Sequence, residues 1–215
     1  MKPMNRKRQT EKQEEQKQGK LAWEIYSVLR DFSVILAAVA IIFVFLVRLV
    51  GVSGSSMYPT LMSRDYMLLL SNFLCGEYEQ GDIVVLTAPD YNGGKEPLVK
   101  RIIATEGQKV FIDFENSIVY VDDVALEEDY IADQDWHRSY GVEGPQFPLT
   151  VPEDCVFVLG DNRDHSADSR YNPIGMVHTE YIMGKVLCIC FPGQETNERD
   201  QVIGDRDFSR IGAVS

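Results

Sequence analysis

The chain has 215 residues, 45% of them hydrophobic, and a formal net charge of −12. This length suits one domain, or one domain with a small extension, and the composition is that of a folded protein. The acidic balance argues against a nucleic-acid partner, because phosphate binding needs clustered Lys and Arg. The charge is uneven: residues 1–31 contain eight basic and five acidic residues, and residues 32–215 contain 13 basic and 28 acidic residues.

An apolar run separates these two parts. Phe32 to Val47 contains sixteen residues without a charge, and its extension to Val52 gives 21 residues interrupted only by Arg48. About 20 residues cross a bilayer, and an arginine near one end can reach the interface. We therefore predict a transmembrane helix over residues 31–52. A buried core helix is disfavoured because the run is apolar on every face. A cleavable leader is disfavoured because the run starts some thirty residues into the chain.

The basic residues of the N-terminal part predict its orientation. Because positive charge is retained on the cytoplasmic side, residues 1–30 are expected to form a cytoplasmic polar tail. Residues 53–193 then form an extracytoplasmic domain, and the anchor makes the cell membrane and its lipid bilayer the expected location. Residues 194–215 are polar and are expected to be a mobile tail.

Beyond residue 52 the hydrophobic pattern is that of short strands separated by Gly, Pro, Asn and Asp. The fold class predicted is mainly β, an antiparallel sheet domain after one N-terminal transmembrane helix. Asp122-Asp123 suits a tight hairpin turn. Segment 127–150 is polar and broken by Gly and Pro, and is expected to be a loop-rich excursion. The strands predicted are Tyr66–Ser71, Ile83–Ala88, Leu98–Ala104, Lys109–Asp113, Ile118–Val121, Val124–Leu126, Val156–Leu159 and Ile182–Phe191.

Three segments contain residues suited to chemistry: Gly54–Leu61 (GSSMYPTL), Leu98–Ile103 (LVKRII) and Gly160–Arg170 (GDNRDHSADSR). In the second, Lys100 interrupts a strand of core-type residues. It is either an edge residue that reaches water or a buried amine. Burial disfavours the charged form and lowers the pKa of an amine, and a neutral amine can take the proton of a serine hydroxyl.

Together these segments resemble the bacterial type I signal peptidases, most closely the Gram-positive ones. Ser56–Leu61 (SMYPTL) resembles their SMxPTL box, Gly81–Val85 (GDIVV) resembles their GDIVV strand, and Lys100-Arg101 resembles the start of their lysine box. Gly160–Arg170 resembles their GDNRxxSxDSR box at every fixed position. The resemblance covers about residues 30–190.

The resemblance implies a role for each matching residue. Ser56 would be the nucleophile, Lys100 the general base, and Ser166 the residue whose hydroxyl orients the lysine amine. The backbone N–H of Ser56 would contribute to the oxyanion hole, together with the backbone around Gly54. A charged scaffold would hold the last box in shape; its residues are Arg101, Asp161, Arg163, Asp168 and Arg170.

The sequence departs from the family pattern at three points. Gly54 stands where some relatives have a serine that adds an oxyanion donor. After Lys100-Arg101, only Gly107 remains of the family's GLPGD turn. His165 adjoins Ser166 and would suit a Ser–His mechanism like that of eukaryotic relatives, but the intact lysine box argues against that mechanism. His137 and His178 lie in no motif and are expected at the surface.

The resemblance implies a membrane-bound serine endopeptidase that cleaves N-terminal signal peptides from exported preproteins by a Ser–Lys dyad, with no metal or organic cofactor. Two other functions would require different sequence features. A self-cleaving repressor of the LexA type would need a DNA-binding domain and no membrane span. A membrane-tethered β-domain binding module with a decayed protease site would be expected to lack one of the motif residues. Cys75, Cys155, Cys188 and Cys190 match no disulfide framework or zinc site, and buried free thiols are predicted.

Overall fold

The structure is a computed structural model that describes residues 3–136 and 144–214. Its contacts divide the chain into two units, Met1–Phe45 and Leu46–Ser215. In the first unit, helix α1 spans Pro3–Ile41 and is followed by a π-helical turn, Ile42–Leu46. Large apolar side chains are exposed along the C-terminal part of α1, among them Phe32, Ile35 and Leu36.

The prediction of a transmembrane helix over residues 31–52 is wrong for the described residues, in which no helix has the length and apolarity needed to cross a membrane. Helix α1 includes only ten residues of the apolar run, from Phe32 to Ile41. At 1.5 Å per residue they extend about 15 Å, half of a hydrocarbon core. The end of the predicted span, Val47–Gly51, is instead strand β1, which pairs with the strand that begins at Tyr66.

The second unit is built from short strands. In the part of the chain that the structure describes, thirteen strands follow β1: β2 Tyr66–Ser71, β3 Ile83–Leu86, β4 Leu98–Ala104, β5 Lys109–Asp113, β6 Ile118–Val121, β7 Val124–Ala125, β8 Leu149–Thr150, β9 Cys155–Leu159, β10 Val177–His178, β11 Ile182–Phe191, β12 Gln194–Thr196, β13 Val202–Arg206 and β14 Gly212–Ala213. A one-turn helix, α2, spans Asn72–Cys75. Single 3-10 turns cover Asn92–Gly94, Arg163–His165, Thr179–Tyr181 and Phe208–Arg210.

These strands form three antiparallel sheets within the described residues. The largest has the order β1-β2-β11-β3-β4-β9-β10, with β14 added beside β11. A four-stranded sheet has the order β7-β6-β5-β8, and β12 pairs with β13. Strands β3, β4 and β9 lie at the centre of the large sheet and are almost wholly buried. Because β4 lies at this central position, its two charged side chains, Lys100 and Arg101, are buried in the interior.

The predicted β class and antiparallel pairing are confirmed. Strands β2, β4, β5, β6 and β11 have the predicted bounds. Asp122 and Asp123 both have positive φ, 52° and 66°, as expected for the tight turn between β6 and β7. Residues 127–136 and 144–148 of the predicted excursion contain no strand, while β8 ends it; residues 137–143, and with them His137, lie outside the described residues.

The C-terminal residues differ from the expected mobile tail. Gln194 to Ala213 contains β12, β13 and β14, and β14 pairs with β11 through Cys188 and Ala213. Arg210 donates from Nη1 and Nη2 to the buried carboxylate of Asp65, at 3.1 and 2.7 Å. The partner of Arg210 lies 145 residues away in the chain, so the local polarity of this segment gave no sign of it.

The four cysteines are free thiols, as predicted, but none is fully buried: Cys75, Cys155 and Cys188 are half-buried and Cys190 is exposed.

Candidate active site

Ser56 lies in a turn between β1 and β2. Two buried apolar side chains, Met57 and Leu61, anchor the turn in the core, and the Leu61 amide donates to the Met57 carbonyl at 2.8 Å. Ser56, directly before Met57, is only half-buried. The turn therefore holds the serine hydroxyl at the surface of a rigid core, where a substrate can reach it.

Gly54 gives this turn its conformation. Its φ is +90°, a region that residues with a Cβ rarely adopt, so a serine here would be strained. The departure from the family pattern at this position thus has a backbone reason. The Gly54 N–H points to Ser63 Oγ at 3.4 Å, a long hydrogen bond.

Lys100 is buried rather than at a strand edge, with 1% of its surface exposed. Its Nζ lies 2.8 Å from Ser56 Oγ and 2.8 Å from the Val99 carbonyl oxygen. The structure thus brings together the two residues predicted as nucleophile and base, although they are 44 residues apart in sequence. His165 is exposed, and the hydrogen bond to Ser56 Oγ comes from Lys100.

The surroundings of Lys100 favour the neutral amine. Burial lowers the pKa of Lys100 from 10.5 to about 8. The negative charges of Asp168 and Asp161 oppose this fall, and the positive charge of Arg170 adds to it. Desolvation outweighs the carboxylates because both of them are already paired with arginines. A pKa of about 8 leaves an appreciable neutral fraction at neutral pH.

Gly160 connects the serine turn with the last box. A Cβ added to Gly160 would overlap Ser166 Oγ and the Ser56 carbonyl oxygen, so only glycine permits this approach. Ser166 itself is fully buried at this contact. Asn162 adds two hydrogen bonds to the turn, from its backbone N–H to the Ser56 carbonyl at 3.1 Å and from Nδ2 to the Ser55 carbonyl at 3.0 Å. The backbone of the nucleophile and the last box are thus packed as one piece.

The predicted scaffold residues form buried ion pairs. Arg101 donates to both oxygens of Asp161, from Nε at 2.9 Å and from Nη2 at 2.8 Å. Arg170 donates to both oxygens of Asp168, from Nε at 2.8 Å and from Nη2 at 2.9 Å. Burial alone would raise the pKa of Asp168, but the charge and hydrogen bonds of Arg170, with the Gly160 amide, outweigh burial and lower it.

Arg163 has a partner that the sequence analysis missed. Its guanidinium donates to both carboxylate oxygens of Glu128, one of them at 3.0 Å, and its Nε donates to the Gly160 carbonyl at 3.0 Å. Tyr130 donates to Glu128 and lies under the Arg101 guanidinium, 3.9 Å from the ring centre. Trp136, fully buried, lies beneath Arg163. Glu128 belongs to the polar segment 127–150, and its acidic neighbours Glu127 and Asp129 left no local signal that would single it out.

Within the described residues, no cluster of three or more His, Cys, Asp or Glu side chains could hold a metal ion. The arrangement is suited to acyl transfer, since it pairs a hydroxyl nucleophile with a buried amine base.

A family model described as "Signal peptidase, peptidase S26" matches residues 25–191 of the chain. The chain belongs to this family. The match includes the serine turn, Lys100 and the whole last box. It also agrees with the resemblance to type I signal peptidases found in the sequence motifs.

Several curated relatives are signal peptidases. The chain is 35% identical over 164 residues to "Signal peptidase I P" of Bacillus subtilis subsp. natto, which covers 72% of this chain and 85% of the relative. It is also 35% identical over 149 residues to "Signal peptidase I S" of Bacillus subtilis (strain 168), covering 67% and 77%. A crystal structure of a signal peptidase I from Enterococcus faecalis V583 is 31% identical, covers 52% of this chain and 97% of its own, and has a TM-score of 0.42.

Proposed function

We propose that this signal peptidase is a serine endopeptidase that cleaves signal peptides from exported preproteins with Ser56 as nucleophile and Lys100 as general base. The observation that supports this most directly is the 2.8 Å separation of Lys100 Nζ and Ser56 Oγ, with the amine buried. The lowered pKa of Lys100, about 8, supports the role of base. The substrate class rests on the names of the relatives, which are signal peptidases.

In the first half of the reaction, Ser56 Oγ attacks the scissile carbonyl carbon while its proton passes to the neutral Lys100 amine. The carbonyl oxygen becomes an oxyanion, which we assign to the backbone N–H of Ser56 and the turn around Gly54. When the C–N bond breaks, the Lys100 ammonium gives its proton to the leaving amine. The product is an ester between Ser56 Oγ and the signal peptide.

In the second half, water attacks this ester with Lys100 again acting as base, and the proton returns to Ser56 Oγ as the C–O bond breaks. We assign to Ser166 an orienting hydrogen bond to the amine. This role is supported by its full burial and its packing on Gly160 against the backbone of Ser56. The ion pairs of Arg101, Arg163 and Arg170 would hold this geometry rather than react.

A cleft of about 400 Å³ beside Ser56 suits the substrate's cleavage site. It is lined by apolar strand residues such as Val52, Val85 and Val99, with Met57 at the serine turn. Signal peptides end in small residues in an A-x-A-like pattern. The apolar lining of the cleft suits such small residues, and we assign the residues of the cleavage site to it.

We further propose that the chain is attached to the cell membrane. The uncharged run Phe32–Val47 and the exposed apolar side chains at the end of α1 support attachment to a lipid bilayer. The excess of basic residues in residues 1–31 supports a cytoplasmic N-terminus. Unit Leu46–Ser215 would then act on the outer face, where exported preproteins emerge.

The test is a cleavage assay on the full chain in detergent micelles with a preprotein whose signal peptide ends in A-x-A. Mass spectrometry of the products should locate one cut after the final alanine, and Ser56→Ala should give none while keeping the wild-type melting temperature. Wild-type protein that binds the preprotein without cutting it would instead favour the binding module. Cleavage by Ser56→Ala would refute the assigned nucleophile.

A further inference from the structure

One charged residue lines the cleft beside Ser56. Glu96, two residues before β4, is the only charged residue among the eleven that form its walls. The remaining walls are apolar side chains, such as Val50, Leu98 and Val99, together with glycine, proline and two serines. Lys100, although it touches Ser56, is not part of the lining.

The Glu96 carboxylate is available to a ligand. The residue is exposed, and within the described residues its side chain has no salt bridge and no hydrogen-bond partner. The buried carboxylates around the site differ in this respect, because Asp161 and Asp168 are each held by an arginine. Glu96 therefore places an uncompensated negative charge at the edge of an apolar cleft.

The rest of the chain increases this preference for positive charge. Residues 32–215 contain 28 acidic residues against 13 basic ones, so the field around the cleft attracts cations. A substrate Lys or Arg can lay its apolar stem along the cleft wall and extend its charge to Glu96. Exposed ion pairs of this kind change an equilibrium or rate constant by about two- to fivefold.

We propose that Glu96 is a specificity-determining residue that favours a Lys or Arg side chain in the substrate segment bound in the cleft and disfavours an acidic one. The small residues of the cleavage site fill the apolar part of the cleft, and the cationic residue flanks them. This inference rests on the proposed peptidase function, since it assigns a preference to that same cleft.

The experiment uses peptides in which one residue near the scissile bond is Lys, Gln or Glu, scanned over three positions on each side. Values of kcat/KM are measured for wild type, Glu96→Gln, Glu96→Lys and a control, Glu115→Gln, which removes an exposed carboxylate on the β5–β6 turn. In the wild type we expect the Lys peptide to exceed the Gln peptide by about two- to fivefold at one position or more. The ratio should fall towards one in Glu96→Gln and invert in Glu96→Lys.

The readout for each variant is the ratio of kcat/KM for the Lys peptide to kcat/KM for the Gln peptide. A general loss of activity lowers both values equally and leaves this ratio unchanged. The control should keep the wild-type ratio, and 0.5 M NaCl should reduce that ratio because exposed charges are screened. Equal ratios in wild type and Glu96→Gln at every scanned position would overturn the inference and leave the proposed function standing. An equal loss for all three peptides in Glu96→Gln would also overturn it, since the side chain would then shape the cleft. Failure of the wild type to cut any peptide would overturn the proposed function and this inference with it.

Discussion

The buried amine of Lys100 should make the stability of the protein depend on pH in a way that one substitution removes. Lys100→Met replaces the amine with a side chain of similar length that has no proton to lose. In the folded chain the pKa of Lys100 is about 8, chiefly because burial disfavours the ammonium, whereas an unfolded lysine has 10.5. Between these two values the unfolded chain binds more protons than the folded one. The free energy of unfolding of the wild type should therefore rise with pH in this window.

The magnitude follows from the two pKa values. Below pH 8 the burial of the Lys100 ammonium lowers the free energy of unfolding by about 3 kcal/mol, since each pKa unit of difference between the folded and unfolded chain corresponds to about 1.4 kcal/mol. Between pH 7 and pH 9.5 about 2 kcal/mol of this should be recovered. No reduction for solvent screening applies, because only 1% of the residue is exposed. Relative to Lys100→Met, the wild type should gain this amount over that interval.

The assay is urea unfolding of the full chain in detergent micelles, followed by tryptophan fluorescence at pH 7 and pH 9.5. Other groups titrate in both proteins, so they cancel in the difference between wild type and Lys100→Met. Lys95→Met serves as the control, because Lys95 is exposed and its charge stays in water in both states. The free energy of unfolding of Lys100→Met is subtracted from that of the wild type at each pH. If this difference is the same at pH 7 and pH 9.5, the argument that burial lowers the pKa of Lys100 is refuted.

Further results are expected at four positions. Lys100→Arg should be nearly as inactive as Lys100→Ala, because a guanidinium stays protonated, and wild-type kcat/KM should rise with pH through about 8 as the amine loses its proton. Ser166→Ala should be slowed by about one to three orders of magnitude and retain measurable activity, since it loses only an orienting contact. Asp168→Ala should lose about 3–5 kcal/mol of stability, because it removes the carboxylate that pairs with the buried charge of Arg170. Arg210→Ala should lose about 2 kcal/mol, because the carboxylate it pairs with is fully buried.

These variants are compared by turnover and by urea midpoint on the same preparations, with the conservative Arg210→Lys beside Arg210→Ala. Substantial turnover in Lys100→Arg would mean that the site needs charge and not basicity. A fully inactive but normally stable Ser166→Ala would give the hydroxyl a chemical role. If Asp168→Ala is as stable as the wild type, Asp168 is not part of the scaffold. If Arg210→Ala is as stable as the wild type, the ion pair of Arg210 does not anchor the C-terminal strands.

The local signals in the sequence were sufficient for most of the sheet. Alternating or continuous apolar residues between Gly, Pro, Asn and Asp located β2, β4 and β11, because strand formation here follows burial of neighbouring residues. They failed where a strand depends on a distant partner. Val47–Gly51 belongs to an apolar run that reads as a helix, but five consecutive pairings with β2 make it a strand.

The site shows the same division. Ser56 and Lys100, both found through short motifs, meet at 2.8 Å in the structure, and their catalytic roles stay a prediction. Glu128 and Arg210 were missed because each is a single charged residue in a polar stretch, and each forms its ion pair with a residue in a distant part of the chain. The burial of Glu128, and of the Asp65 carboxylate that Arg210 contacts, is a property of the tertiary fold, and composition carries no sign of it.

The buried charges around Lys100 explain why its amine can remain a base. Within the described residues each arginine of the scaffold is matched by a carboxylate: Arg101 by Asp161, Arg163 by Glu128 and Arg170 by Asp168. The three pairs are neutral in sum, and none of these carboxylates forms a salt bridge with Lys100. Removing Arg170 would leave the buried charge of Asp168 close to the amine and raise the pKa of Lys100. Arg170 therefore acts on the base in two ways: its own positive charge lowers the pKa of Lys100, and its ion pair offsets the carboxylate that raises that pKa.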